Sequence, residues 1–414
     1  MKSVVALFIV SLVLLTASLY ADDNYVTVYN ENLALVKQVR SLEIKKGTPL
    51  KFTDVAAQLI PSSVHLRAAN GDKNFQVLEQ NFEYDLVSAD KILEKYVDHP
   101  VSLIRENGEL VNGTLLSKSA STLVLKTSEG IKLIPWNDKT SVDVKELPEG
   151  LITRPTLIWD VTGVAEGKED LEVSYLTNGM SWSAEYVGVL NENSGTINLD
   201  SWVSVDNKCG ATFNDAHLKL VAGEVHRAPS AQPQPKFGRM ALESAAAPPQ
   251  FEERGLFEYH IYDLGRPTTL KNNQTKQISL FQPATVKFDK KYFYDASQDP
   301  TKVEVRIVFR NDKAAGLGMA LPAGIFRIYQ KDKEGLEFIG EDRIDHTPRN
   351  EEVKATVGNA FDLVGERTVV DRKKLSERSE QQTIGIELRN NKEKENVNIT
   401  VVEYMYRTNW KITE

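Results

Sequence analysis

The sequence predicts an all-β protein: antiparallel β-sandwich domains with one small helix-plus-barrel insert. Three observations predict it. Apolar and polar residues alternate with period two in segment after segment, which turns one face of each segment inward. β-branched and aromatic residues concentrate in those segments. Gly, Asn, Asp and Pro punctuate them at short intervals. The lone cysteine, Cys209, excludes an intrachain disulfide, so ordinary burial must hold the fold.

Taken in order, "MKSVVALFIVSLVLLTASLYADD" starts with Lys2, continues as a short apolar run and ends in small residues. That layout predicts a secretory signal peptide over residues 1–21, cleaved near Ala21. The run is shorter than the roughly 20 residues of a membrane span. No cysteine follows it, so a lipoprotein anchor is not expected. The expected product is exported, periplasmic or extracellular, with no membrane span after cleavage. Loss of Lys2 takes the formal charge from −8 to −9 (−8 − 1). A mildly acidic chain with dispersed signs argues against nucleic acid, which wants a basic face.

Residues 22–87 read as an N-terminal β domain. "YVTVYN" sets Tyr25, Thr27 and Tyr29 against Val26 and Val28, and "SLEIKKG" and "PLKFTDV" repeat the pattern around Lys46-Gly47. Residues 88–148 break it. In "SADKILEKYVDH", Ser88 is a natural N-cap, Asp90 sits in the first turn, and Ile92, Leu93, Tyr96 and Val97 form a helical stripe. About five short strands follow Pro100, with turns at Gly108 and Gly130. A short helix and five strands resemble a small SH3-like or Sm-like barrel, in layout only. The loop "SKSAST" lacks the acidic and amide residues with which Sm proteins read bases.

Residues 149–227 predict sandwich strands. In "SWSAEYVGVL", Trp182, Ala184, Tyr186 and Gly188 share one face, and Leu171, Val173 and Tyr175 share another in the preceding "LEVSYL". Asn178-Gly179 is a hairpin turn signal, so the two segments are expected to pair with their aromatics in the core. Residues 228–252, rich in Pro, Ala and Gln, predict a flexible surface loop. Residues 253–414 predict a C-terminal sandwich. Its stretch "VVDRKKLSERSEQQT" reads as an exposed charged hairpin connection or a frayed strand pair.

The segment "VTVYNENLALVKQVRSLEIKKGTPLKFTDVAAQLIPSSVHL" resembles the N-terminal β domain of mucoidy-inhibitor-A-like proteins. "YLTNGMSWSAEYVGVL", "WVSVDNKCGATFNDAHLKLVAGEV", "FEYHIYDLGRPTTLKNNQTKQISLF", "LGMALPAGIFRIYQKDKEGLEFIGEDRIDHTPRNEEV" and "VGNAFDLVGER" resemble the domain that follows there, domain-of-unknown-function family 4139. The resemblance implies β-sandwich architecture and an envelope setting, and no chemistry. The coiled coil of some relatives is replaced by the helix and barrel. Cys209 stands where the family usually has Ser or Thr. The chain stops at "TNWKITE", where relatives add strands that close the last sheet. The resemblance thus implies a truncated or shortened C-terminal sheet, with an open edge if truncated.

Candidate chemistry is sparse. The six histidines form no HExxH, HxH or zinc spacing, and no nucleophile elbow or phosphate-cradling loop occurs. Two acid-x-His units, Asp215 with His217 and Glu224 with His226, are candidate metal ligands if their strands fold together. The family usually has other residues at both histidines. Glu341, Asp342, Asp345 and His346 in "GEDRIDHTPRNEE" form a carboxylate–His cluster with candidate catalytic residues Glu341, Asp342 and His346; this segment matches the family pattern. "EYHIYD" sets Glu258, His260 and Tyr262 on one face, read as a sheet surface or, as the alternative, a docking patch. Trp202, on the polar side of "DSWVSVD" beside Asp200 and Ser204, is the interface candidate. The resulting expectation is a non-enzymatic binding or structural module for an envelope protein or glycan, without a cofactor. The alternative is a hydrolase or metal-dependent enzyme using the Glu341–His346 segment.

Overall fold

The computed structural model describes residues 23–71, 74–163, 165–223, 251–256, 259–333, 335–393, 395–405 and 409–412. The signal-peptide segment 1–21, residues 228–250 of the expected loop, Glu224, His226 and Glu258 lie outside the described residues. The protein is all-β: strands dominate, and the described residues include one α-helix, Ala89–Lys95.

The chain divides into two compact units that do not follow consecutive segments. The first contains residues 23–24, Lys37–Val55 and Pro61–Tyr175; the second contains Tyr25–Val36, Ala56–Ile60 and Leu176–Glu414. The segment 22–87, expected to be one domain, is therefore shared between both. Contiguity in sequence did not decide the grouping, because strand partners are chosen by apolar faces rather than by chain order.

In the first unit, Thr156–Thr162 is the centre of a three-stranded antiparallel sheet between Leu50–Thr53 and Gln76–Glu83. Alternation turns Leu157 and Trp159 inward, both fully buried. Trp159 meets Phe52 edge-on at 6.1 Å, and its indole N–H donates to Gln80 Oε1 at 2.8 Å, so a buried polar tip is satisfied. Residues 167–175 lie between residues 37–44 and the strand His65–Ala68. Their Leu171, Val173 and Tyr175 are fully buried. The Tyr175 hydroxyl donates to Gln38, whose amide donates to Asn24 at 2.7 Å.

Residues 88–143 form the helix-plus-five-strand module. The Ser88 hydroxyl accepts the Lys91 N–H and starts the helix. The strands Pro100–Arg105, Leu110–Lys118, Thr122–Thr127 and Gly130–Pro135 form a meander, and Thr140–Asp143 returns to pair with the first. Leu93 and Tyr96 of the helical stripe pack on Leu103, Leu115 and Leu125. The Tyr96 hydroxyl donates to the Glu146 carbonyl at 2.7 Å, tying the far end of the module to the helix.

The second unit is built around a six-stranded sheet. Its order is Gln274–Ser279, Thr196–Asn207, Met180–Asn191, Gly324–Lys331 and Leu336–Ile344, with Ala284–Lys287 also pairing Thr196–Asn207. The inner face carries Trp182, Tyr186 and Phe326. Trp182 lies at 6.0 Å from Tyr262 of a neighbouring sheet that includes Phe251–Leu256, Tyr259–Leu264, Phe213–Ala222 and Tyr25–Tyr29. Phe326 meets Phe309 at 5.9 Å, in a third sheet formed by Glu380–Asn390, Glu352–Lys374, Lys302–Arg310, Asp289–Asp295 and Ile399–Val402. These face-to-face contacts are sandwich packing. The stretch 369–383 becomes a strand pair closed by a turn at residues 375–379.

Two expectations are corrected. The segments 167–177 and 180–191 do not pair as a hairpin. The first pairs with Ala34–Ile44 and His65–Ala68, the second with Thr196–Asn207 and Gly324–Lys331. Gly179 has φ +81°, and a Cβ there would sit 2.8 Å from the Cys209 Cα. The Asn178-Gly179 turn thus packs tightly against other backbone and passes the chain into a different sheet. Strand pairing is mainly antiparallel, as expected, with parallel exceptions: Tyr25–Tyr29 with His217–Val221, Ala184–Leu190 with Gly324–Gln330, and Tyr292–Asp295 with Ile399–Val402. Finally, Phe251 and Glu252, placed in the flexible loop, begin the strand Phe251–Leu256, with Phe251 fully buried.

Cys209 is buried beside this turn, and burial pushes its thiol up to about 11. The thiolate is the reactive form, so folded protein at pH 8 should resist iodoacetamide and react at an ordinary thiol rate only when unfolded. Intact-mass measurement with and without urea checks this.

Candidate functional site

The three residues singled out for catalysis do not converge. Glu341 and Asp342 are adjacent on the strand Leu336–Ile344, so they project to opposite faces. Glu341 pairs with Arg327 at 3.2 Å. Asp342 turns the other way and accepts the Thr356 and Arg343 N–H groups at 2.6 and 2.8 Å. His346 lies beyond the strand end, and its Nδ1 accepts the Ala323 N–H at 3.1 Å. Each group has a backbone or ion-pair duty, and the segment works as a connection whose side chains satisfy neighbouring backbone.

Of the metal candidates, Asp215 has φ +46° at a register shift between Phe213 and Ala216. Asp215 and His217 are both exposed on either side of buried Ala216. The His217 ring stacks on Tyr25 at 4.8 Å, 16° from parallel. Among the described residues, no group of three or more His, Cys, Asp or Glu is placed to hold a metal ion.

Sequence reasoning missed the most strongly perturbed carboxylate among the described residues. Glu253 follows Phe251 by two residues, so its side chain points inward, opposite Tyr262 and near His260. Its side chain is 6% exposed. Oε1 pairs with His260 Nδ1 at 2.7 Å, and Oε2 accepts from Arg349 at 2.7 Å and from the Ala320 N–H at 3.0 Å. Burial alone pushes this carboxyl up. The hydrogen bonds from His260, Arg349 and the Ala320 backbone, with the Arg349 charge, outweigh it and hold the group down at about 2. An ionised carboxylate has no hydrogen to give, so His260 Nδ1 carries the proton. Of the "EYHIYD" face read as surface, Tyr262 is interior at 1% exposed and His260 is half-buried, while Glu258 lies outside the described residues.

The same region is bound further by Asn311, which is fully buried. Its amide donates to the carbonyls of Met319 and Pro348 and accepts the Gly318 N–H. The Tyr262 hydroxyl donates to the Ala320 carbonyl and Tyr186 to that of Pro322. Glu253 is thus the hub of a lock that fixes the loops around 318–323 and 346–350. Both its oxygens are taken, which suits a structural role rather than proton transfer. The signal for it was available: an acid at an inward strand position, between Phe251 and Gly255, demands a buried partner.

Two surfaces remain. A cavity of about 220 Å³ is lined by Leu190, Tyr292, Val305, Ala360 and Phe361, with Lys290 and Lys392 at its edge. Both lysines are already paired, with Glu192 at 3.0 Å and Glu395 at 2.7 Å. The other is the outward face of the six-stranded sheet. There Trp202 is 43% exposed, directly opposite Glu185 on one side and Ser279 on the other. Ser204 donates to Glu185 Oε1 at 3.1 Å, and the Gln277 amide donates to Ser204 at 3.2 Å. The outward placement of Trp202 follows from alternation, since Ser201 and Val203 on either side are buried.

In comparisons with known proteins, no family model and no curated protein matches the chain.

Proposed function

We propose that the chain is an exported cell-envelope protein of the uncharacterised family it resembles, and that it binds a protein or glycan partner without doing chemistry on it. The observation that carries this reading is Trp202. A large ring held outward on a rigid sheet is costly to leave in water and offers wide contact area to a partner. The neighbouring carboxylate, hydroxyl and amide are already ordered by their own hydrogen bonds, which lowers the entropy lost on binding. The hydrolase alternative finds no such support, because Glu341 and Asp342 lie on opposite faces of their strand and His346 accepts the Ala323 N–H. Export rests on the N-terminal segment and is tested by the N-terminal residue of the mature protein.

The test is in-cell crosslinking of tagged protein in its own host, followed by affinity capture and mass spectrometry. One abundant envelope partner is expected with the native chain, reduced at least tenfold with Trp202→Ala at unchanged thermal stability. Equal capture by both forms, or hydrolytic activity that vanishes with His346→Ala, overturns the reading.

A further inference from the structure

The character of the Trp202 face narrows the partner, on the premise that this face is the binding site. A protein hot spot seats its aromatic anchor in a packed surround that excludes water. Around Trp202 the opposite, flanking and diagonal positions are mainly polar: Glu185, Ser279, Asp200, Ser204 and Gln277, with Val187 the apolar exception. No side chain among the described residues bonds the indole N–H. The result is one flat aromatic ring in a ring of hydroxyl, amide and carboxylate groups, on a sheet surface.

We propose that this face binds a neutral saccharide chain, with a pyranose ring stacked on Trp202. A pyranose has the complementary two-sided chemistry. Its axial C–H groups form an apolar face that lies on an aromatic ring, and its equatorial hydroxyls radiate in the ring plane. Those hydroxyls meet Glu185, which accepts, Gln277, which does both, and Arg327, which donates from 3.7 Å beyond Glu185. The charge of the face selects against acidic sugars. Beside Trp202, Glu185 and Asp200 set two carboxylates against the guanidinium of Arg327, which already lies between Glu185 and Glu341. A uronate would meet net negative charge, whereas a neutral hexose or N-acetylated sugar would not. The open, shallow surface suits a chain bound along the sheet rather than a single sugar enclosed in a pocket.

The experiment is isothermal titration of the whole mature protein with cellohexaose, maltohexaose and chitohexaose, and with oligoalginate and oligogalacturonate as acidic probes. At least one neutral hexamer should bind at micromolar to millimolar concentration. Trp202→Ala should weaken it at least tenfold, Trp202→Phe should retain most of it, and the unfolding midpoint should be unchanged in both. The acidic probes should bind more weakly. The proposal is overturned if no neutral hexamer binds, if Trp202→Ala binds equally well, or if the acidic probes bind more tightly. A protein partner that is captured in cells and lost with Trp202→Ala, while no saccharide binds, sinks the saccharide inference and leaves the binding reading standing. Failure of both removes both.

Discussion

Trp182→Ala should lower the stability of the protein by about 3–5 kcal/mol, the cost of deleting a large buried aromatic. Trp182 is 3% exposed and links the six-stranded sheet to its neighbour in two ways. Its ring meets Tyr262 edge-on at 6.0 Å, and its indole N–H donates to the Val221 carbonyl at 3.1 Å. Removing it opens a cavity between two sheets that cannot easily collapse and takes the indole donor from the Val221 carbonyl. Trp182→Phe keeps most of the ring and loses the hydrogen bond, so it should cost less, about 1–2 kcal/mol. Urea titration read by circular dichroism checks the order native > Phe > Ala. A Trp182→Ala protein as stable as the native one would show that this ring is not the hinge of the sandwich.

Arg349→Ala should be comparably damaging, by about 3–5 kcal/mol, because it leaves Glu253 buried and deprived of its cationic partner. The Arg349 side chain is 11% exposed and the pair is separated by 2.7 Å. Replacing both members, as in Glu253→Gln with Arg349→Met, should recover much of the loss, since no charge then remains buried. The pH dependence has a definite sign. The folded carboxyl of Glu253 sits at about 2, below its ordinary 4.5. Its contribution is therefore fully present above pH 4.5 and is lost as pH falls toward 2. In Arg349→Ala the folded carboxyl moves up toward the ordinary range, so that share of the acid-dependent loss should shrink. Thermal melts from pH 2 to pH 7 measure it. An unchanged acid limb in the variant would mean that Arg349 does not hold Glu253 ionised.

Much of this molecule is local. The inward set Leu171, Val173, Tyr175, Trp182, Ala184 and Tyr186 was legible because strand side chains alternate, and burial follows that alternation residue by residue. The outward position of Trp202 follows from the same rule. The helix start at Ser88 and the stripe through Leu93 and Tyr96 were equally readable, because capping and helical spacing are properties of a few consecutive residues. The weakness of the Glu341–His346 cluster was partly visible too, since adjacent strand residues cannot share a face.

The sequence by itself determined the all-β class, the faces of most strands and the best surface candidate. Tertiary structure alone decided which strands pair, and so where the segments around Asn178-Gly179 go and why three pairs run parallel. It alone brought Arg349 to Glu253, 96 residues away. The physical reason is common to both. Alternation and capping are set by bonds along the chain, whereas pairing and buried ion pairs are set by competition among many distant surfaces of similar apolar character, which one linear sequence does not rank.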